Sequence, residues 1–461
     1  MAFLFDRIDY ERTRTVPYRS RGFKLERMLR LAALLGHPEA DYPVVHVAGT
    51  KGKGSTATMI AAATTAAGFR TGLYTSPHLE RVEERFVVDG QQCNEQELVS
   101  VLSEVWRATR QLEAETTENA ELTGPTYFEV TTAAALLHFH RRNVDCAVLE
   151  VGLGGRLDST NICQPAVSVV TTISLDHTRQ LGKTLGKIAA EKAGIIKART
   201  PVVTGVRENE PFEVIESIAA KHGCPLLAAG REFDFVYGDA RRRTVETHEP
   251  LDGDLLSYWE RIDGMSRRRD HVKIGMRGRH QAANAAVALA TLGQLQRLGW
   301  TIDEPAIRDG LAKARCPARF ELLGSRPTII LDAAHNPASV AALNDAIEEH
   351  FPSRPRLLLF ATSLDKDASG MLKHLLPHAD SLVLTRYLNN PRARDPAELE
   401  TLAKELMGEL KGPPPHVEVS PDPGAAWQRV RSLTTPSHVI CVTGSFFLAA
   451  EIRQYLDGAP S

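Results

Sequence analysis

The 461-residue chain is 43% hydrophobic and 24% charged, which supplies material for a large core and a length that fits two or three domains. Its net charge of −2 excludes a global electrostatic attraction to nucleic acid or to an acidic membrane, so anion recognition has to be local. No stretch approaches the roughly eighteen consecutive apolar residues of a membrane span. The arginine-rich N-terminal region has no apolar signal core, and six single cysteines (Cys93, Cys146, Cys163, Cys224, Cys316, Cys441) form no CxxC pair. A cytoplasmic protein with no membrane and no nucleic-acid partner is expected.

In chain order, residues 22–36 carry apolar side chains at helical spacing, stopped by Gly36 and Pro38. Pro43–Ala48 is a short β-branched run of the fully buried strand type, and it leads into Gly49, Thr50, Lys51, Gly52, Lys53, Gly54, Ser55 and Thr56. Glycines at this spacing let successive backbone N–H groups turn inward on an anion, with a lysine as point charge and hydroxyls for Mg²⁺. From Ala57 to Gly68 the sequence is helical, so a positive helix end points at the same place. The strict Walker A spacing fails because Gly54 separates Lys53 from Ser55; what remains is a variant phosphate loop in its proper strand, turn and helix setting.

A second strand, Thr71–Tyr74, delivers Ser76 to a strand end, where a hydroxyl serves either a ligand or a cap. After a helix over 95–115 and a polar loop to Gly124, a helix opens with Thr126, Tyr127, Phe128 and Glu129. The strand Cys146–Leu149 then ends at Glu150 and VGLGGRLDSTN, a carboxylate placed as a Mg²⁺ ligand would be, with glycines that allow close backbone approach. Ala166–Ile173 is a further buried strand, followed by His177 and a helix carrying Lys192; alone, the histidine reads as structural and the lysine as surface. Pro201–Val206 and Cys224–Ala229 complete the strands of this region. Residues 230–275 read as a hairpin or small subdomain whose arginine triplets, 241–243 and 267–269, are expected to be solvated faces. An Ala-rich helix from Gly278 bears Gln281 and Asn284, and Cys316-Pro317 marks a linker, dividing the chain into domains 1–315 and 316–461. The second domain alternates strands (Thr328–Leu331, Leu357–Ala361, Ser381–Thr385, His438–Val442) with helices, a Rossmann-like α/β pattern without a phosphate loop.

The phosphate loop, YTSPHL at 74–79, LEVGLGGRLDSTN at 149–161, LDHTRQLGKTLGKIAAEKAGIIK at 175–197 and DAAHNP at 332–337 together resemble the folylpolyglutamate synthase family, the bifunctional dihydrofolate synthases included. The resemblance runs from about Leu25 to the C-terminal TGSFFLAAEIR. It implies an α/β Mur-ligase-like P-loop ATPase domain, a smaller Rossmann-like domain and an active site in the cleft between them. The implied reaction joins L-glutamate to a folate or dihydropteroate carboxylate through an acyl phosphate, with ATP as co-substrate. By resemblance, Lys53 and the loop from Gly49 to Thr56 hold the phosphates, and Ser76 and Glu150 bind one Mg²⁺. His177 binds a second, and Lys192 carries CO₂ as a carbamate. Asn284, Arg319, Asp332 and His335 match nucleotide contacts, while Thr126–Glu129 and Leu157, Asp158 and Ser159 match the pteroate pocket. Three departures stand out: Lys51 where asparagine is common, and Ala318 and Ala333 in place of glycines.

A peptidoglycan-type Mur ligase would share the loop but normally carries an N-terminal domain for its nucleotide sugar, and here only about 40 residues precede the loop. A non-catalytic nucleotide-binding regulator would be expected to lose Lys53, Glu150, His177 or Lys192, and all four are present. Nothing in the sequence demands an obligate partner, so a monomer is expected.

Overall fold

The computed structural model describes residues 2–5, 7–9, 25–115, 124–238, 254–262 and 264–457. The first residues of the expected helix at 22–36, the polar loop before Gly124 and the arginine triplet 241–243 fall outside that set. The chain divides into two units, the first ending at Arg315 and the second running from Cys316, with Met276–His280 and Asp254 also belonging to the second.

Val44–Ala48 (β1) is buried at every position because it lies inside a sheet covered on both faces, which is why its sequence does not alternate. The first unit's other strands are Thr71–Tyr74 (β2), Phe86–Val88 (β3), Gln91–Gln92 (β4), Cys146–Glu150 (β5), Pro165–Val170 (β6), Val202–Thr204 (β7) and Leu226–Ala228 (β8). They form one sheet in the order β4-β3-β2-β5-β1-β6-β7-β8. The six from β2 to β8 in that order are parallel, while β3 and β4 add an antiparallel edge. Parallel register sets Val47 opposite Glu150 and Ala48 opposite Val170, so the ends of β5, β1 and β6 open onto one edge. That edge is where an open α/β sheet receives its ligands.

Phe233–Tyr237 (β9), Asp254–Ile262 (β10) and Met265–Ile274 (β11) make a three-stranded sheet in the order β11-β10-β9. Its second arginine triplet is not wholly solvated. Arg268 is exposed and pairs with Asp270, but Arg269 turns inward, with Nε 2.8 Å from a Glu304 carboxylate oxygen.

In the second unit, Glu321–Ser325 (β12), Thr328–Leu331 (β13), Arg356–Phe360 (β14), Ser381–Leu384 (β15), His416–Val419 (β16) and Val439–Thr443 (β17) pair in the order β12-β13-β17-β14-β15-β16. All pairings are parallel except β12 with β13. The edge strands β12 and β16 escape sequence reading because both are only half-buried and lack a continuous apolar run.

Candidate active site

The phosphate loop is held open by what surrounds it. Gly52 caps the helix Lys53–Ala66 at φ 80°, a left-handed conformation that glycine adopts without strain. A Cβ at Gly52 would lie 2.1 Å from the Asn284 side-chain oxygen, and one at Gly49 would lie 1.9 Å from Thr171 Oγ1. Thr171 Oγ1 donates to the Lys51 carbonyl at 2.6 Å, Thr172 Oγ1 accepts from the Lys51 N–H at 3.2 Å, and Thr50 exchanges hydrogen bonds with Ser174. Hydroxyls at and beyond the end of β6 thus pin the loop backbone and leave the helix N-terminus at its mouth, an arrangement suited to phosphate. Thr56 is fully buried, Ser55 nearly so, and Asn284 is buried on the opposite wall with its amide donating to Gln281.

Around this loop the structure collects three of the sequence's charged candidates. Glu150, buried at the end of β5, accepts from the Ser76 N–H at 3.1 Å and faces Lys53 Nζ at 3.9 Å. Lys192, on the helix Leu185–Ala193, is 5% exposed and donates from Nζ to the Gly49 carbonyl at 2.8 Å. It is therefore not the surface residue that a helical lysine ordinarily is. Burial, reinforced by the Lys53 ammonium, lowers its pKa to about 7. His177 lies in the segment after β6 with φ 48° and a partly exposed ring, its backbone N–H donating to the Asp176 carboxylate at 2.9 Å. Asp176 also reaches Lys51, at 3.4 Å. The sequence assigns no role to Thr171, Thr172 and Asp176, although hydroxyls at the end of a buried strand and a carboxylate in the turn after it were the available signal.

Gly152 and Gly155 make room for other parts of the protein. A Cβ on Gly152 would come within 2.5 Å of the Phe128 ring, and one on Gly155 within 2.8 Å of the Glu191 carbonyl. They permit the loop to pack against the helix Tyr127–Arg141 and against the helix carrying Lys192. Glu129 is likewise engaged inside the protein: its carboxylate binds Arg27 through two bonds of 2.8 and 2.5 Å and takes the Thr126 N–H in a capping box. Asp158 accepts from Leu153 N–H at 2.9 Å and from the Thr160 hydroxyl at 2.6 Å. Phe128 and Leu157 remain half-buried, while Tyr127 and Ser159 are buried.

In the second unit, Asp332 at the end of β13 accepts from Phe320 N–H at 2.7 Å and Ala334 N–H at 2.8 Å, drawing the loop that bears Arg319 onto the strand end. Ala318 and Phe320 flank Arg319 at φ 52° and 47°. His335 donates from Nδ1 to the Ala333 carbonyl at 2.8 Å, which fixes the orientation of its ring.

Two family models cover most of the chain: the Mur ligase middle domain matches residues 47–292 and the Mur ligase glutamate ligase domain residues 318–446. A folylpolyglutamate synthase of Lacticaseibacillus casei is 33% identical over 443 residues, 94% of this chain and 95% of that protein. The chain belongs to the folylpolyglutamate synthase family of Mur ligases. Within that family, the Mycobacterium tuberculosis folylpolyglutamate synthase complexed with ADP superposes with a TM-score of 0.85 at 30% identity, covering 100% of this chain and 98% of the other. Escherichia coli FolC in complex with DHPP and ADP gives 0.81 at 29% identity, covering 99% and 96%. The Mur-ligase α/β fold expected from the resemblance is thereby established.

Mg²⁺, typical of phosphoryl transfer, is a hard cation that takes few protein oxygens and leaves the rest of its shell to water and phosphate. The Glu150 carboxylate, buried beside Lys53 and accepting from the Ser76 backbone N–H, is an oxygen donor that fits such an ion. Among the described residues no group of three or more His, Cys, Asp and Glu could hold a metal by itself. A site completed by nucleotide phosphates is consistent with that donor.

Proposed function

We infer that this chain cleaves ATP to join L-glutamate to a folate carboxylate. The carrying observation is the phosphate loop with Lys53 against Glu150 and Lys192 against Gly49, in a chain related over nearly its whole length to ADP-bound folylpolyglutamate synthase. A carboxylate is inert toward an amine at neutral pH. Its oxygen therefore attacks the γ-phosphorus of ATP, breaking the bond to the β–γ bridging oxygen and giving an acyl phosphate and ADP. The neutral amine of glutamate then attacks the acyl carbon, phosphate leaves, and the amine proton is lost as the amide forms. No side chain need become covalently attached, so catalysis is positioning and charge neutralisation.

Lys53 and the N–H groups from Gly49 to Thr56 hold the β- and γ-phosphates. Bound Mg²⁺, one ion at Ser76 and Glu150 and a second near His177, would supply neutralisation of the phosphate charge. Asn284, Arg319, Asp332 and His335 carry over as nucleotide contacts, and Tyr127, Phe128, Leu157 and Ser159 as pteroate contacts. Thr126, Glu129 and Asp158 shape that pocket through their internal hydrogen bonds. Lys192, buried near Lys53 and Lys51, is proposed to carry CO₂, because an ammonium there adds a third cation where a carbamate oxygen would offset charge. A lowered pKa leaves more free amine to react with CO₂.

Dihydrofolate synthase activity is proposed beside folylpolyglutamate synthase activity, in a monomeric cytoplasmic enzyme. No helix of the described residues is long and apolar enough to cross a membrane. The test is ADP release with ATP, Mg²⁺ and glutamate against dihydropteroate and tetrahydrofolate separately, with product masses. ADP release that requires a folate and glutamate together supports the reading; release independent of either would overturn it.

A further inference from the structure

His46 lies on β1 among Val44, Val45, Val47 and Ala48, and its side chain is fully buried. Its Nε2 is 2.8 Å from Thr160 Oγ1, which is in turn 2.6 Å from Asp158 Oδ1. The Thr160 hydroxyl has one proton, and the carboxylate can only accept it. His46 must then donate its Nε2–H to the hydroxyl, leaving Nδ1 as the bare nitrogen, and Nδ1 is buried without a hydrogen-bond partner. Burial, with a smaller contribution from Lys197, lowers the His46 pKa to about 3, so the ring stays neutral at working pH. The far end of the relay fastens a loop: Asp158 takes the N–H groups of Leu153 and Thr160 at 2.9 and 3.1 Å.

One strand thus reaches two places. Its backbone runs into the phosphate loop at Gly49, and its single polar side chain holds the segment Leu157–Ser159 through Thr160. A valine or isoleucine would pack the strand position without an unpartnered buried nitrogen, so the histidine is a poor choice for packing alone. We propose that His46 is a positioning residue for the folate substrate, fixing Leu157–Ser159 relative to the phosphate loop through Thr160 and Asp158. This rests on the reading that Leu157–Ser159 meets the pteroate.

Three variants of the full chain test it by steady-state kinetics with tetrahydrofolate, glutamate and ATP. His46→Val removes the donor, His46→Gln returns an N–H near the place of Nε2, and Thr160→Val removes the hydroxyl with almost no change of shape. The expected result for His46→Val is a KM for tetrahydrofolate raised about tenfold, a KM for ATP changed by less than about threefold, and substantial recovery in His46→Gln. Thr160→Val should reproduce the effect, and the double variant His46→Val with Thr160→Val should be no worse than the poorer single one, because both cut the same relay. If His46→Val does not fold, Thr160→Val alone carries the KM comparison. Equal changes in both KM values, no change in either, or additive effects would overturn the proposal. Leu157→Ala separates the two layers. If it raises the tetrahydrofolate KM while His46→Val and Thr160→Val do not, only the positioning role falls; if it leaves that KM unchanged, the segment's assignment falls and the proposal with it.

Discussion

At the scale of single residues, the site's chemistry depends on charges placed where they are costly unless balanced. Glu150→Gln keeps the shape of a buried side chain that accepts from Ser76 and faces Lys53, but removes its charge. Turnover should fall about a hundredfold or more with little change in the circular dichroism spectrum or thermal midpoint, since phosphoryl transfer depends on charge balance around the phosphates; near-normal kcat would remove Glu150 from the site. Lys192→Ala should be inactive and partly rescued by acetate, and wild-type activity should drop when bicarbonate is stripped from the buffer. Full activity of that variant in bicarbonate-free buffer would leave Lys192 as a buried amine holding the Gly49 carbonyl and nothing more. Ala318 bears on a departure visible in the sequence. Its φ of 52° is a left-handed conformation in which a Cβ costs roughly 1–2 kcal/mol, against roughly 0.5–1 kcal/mol of unfolded-state entropy added by glycine. Ala318→Gly should therefore raise the urea midpoint of the second unit slightly, and a lowered midpoint would mean that the methyl's burial outweighs the backbone strain.

Between elements, the structure shows what a sequence can and cannot convey. The buried strands β1, β5, β6, β14 and β17 were legible because a parallel sheet covered on both faces selects continuous apolar runs, and the place of Glu150 at the end of β5 was legible because it closes such a run. The partners of the site residues were not, since hydrogen bonds such as Lys192 to Gly49 or Glu129 to Arg27 span 143 and 102 positions with no local pattern. The same reason concealed the use of Gly152 and Gly155, which admit a ring and a helix end. The Arg27–Glu129 pair joins the helix Leu25–Leu34 to the start of the helix Tyr127–Arg141, with side chains 7% and 8% exposed. Removing one member of such a pair strands the other charge, so Arg27→Met should cost about 3–5 kcal/mol even though methionine suits the site's volume. Denaturant unfolding of the first unit measures this, and a loss below about 1 kcal/mol would show that Thr126 alone satisfies the Glu129 carboxylate.

Across the whole molecule, histidines respond to pH in opposite directions according to what faces them: the pKa of His350 is raised, whereas those of His46, His138, His280 and His378 are lowered. In the second unit, burial opposes charging of His350, but the Asp254 hydrogen bond and charge, helped by the Ala346 carbonyl and Glu349, outweigh it and raise its pKa. Its stabilisation is complete below the unfolded value near 6.5 and is lost as pH rises through the elevated folded value. In the first unit, His46 is held down to about 3 and His138 is lowered, in each case chiefly by burial. For a lowered histidine the sign reverses: between pH 6.5 and the folded value the unfolded chain binds a proton that the native state refuses, so stability falls with acidification by about 1.4 kcal/mol per pH unit for a group such as His46. Carboxylates contribute their own acid slope, which cancels when wild type and His46→Val are compared at each pH. The readout is urea unfolding followed by fluorescence in a Trp427→Phe background, where the remaining tryptophans, Trp106, Trp259 and Trp300, all lie in the first unit. Wild-type stability minus that of His46→Val should fall by about 1.4 kcal/mol for each unit from pH 6 to pH 4, whichever protein is the more stable at the start. A difference that stays constant over that range would mean that His46 titrates normally in the native state. The relay to Thr160 would then have to run with a protonated ring, and a charge buried on the strand that feeds the phosphate loop would need a counter-ion, for which the Asp158 carboxylate at the end of the relay is the nearest candidate.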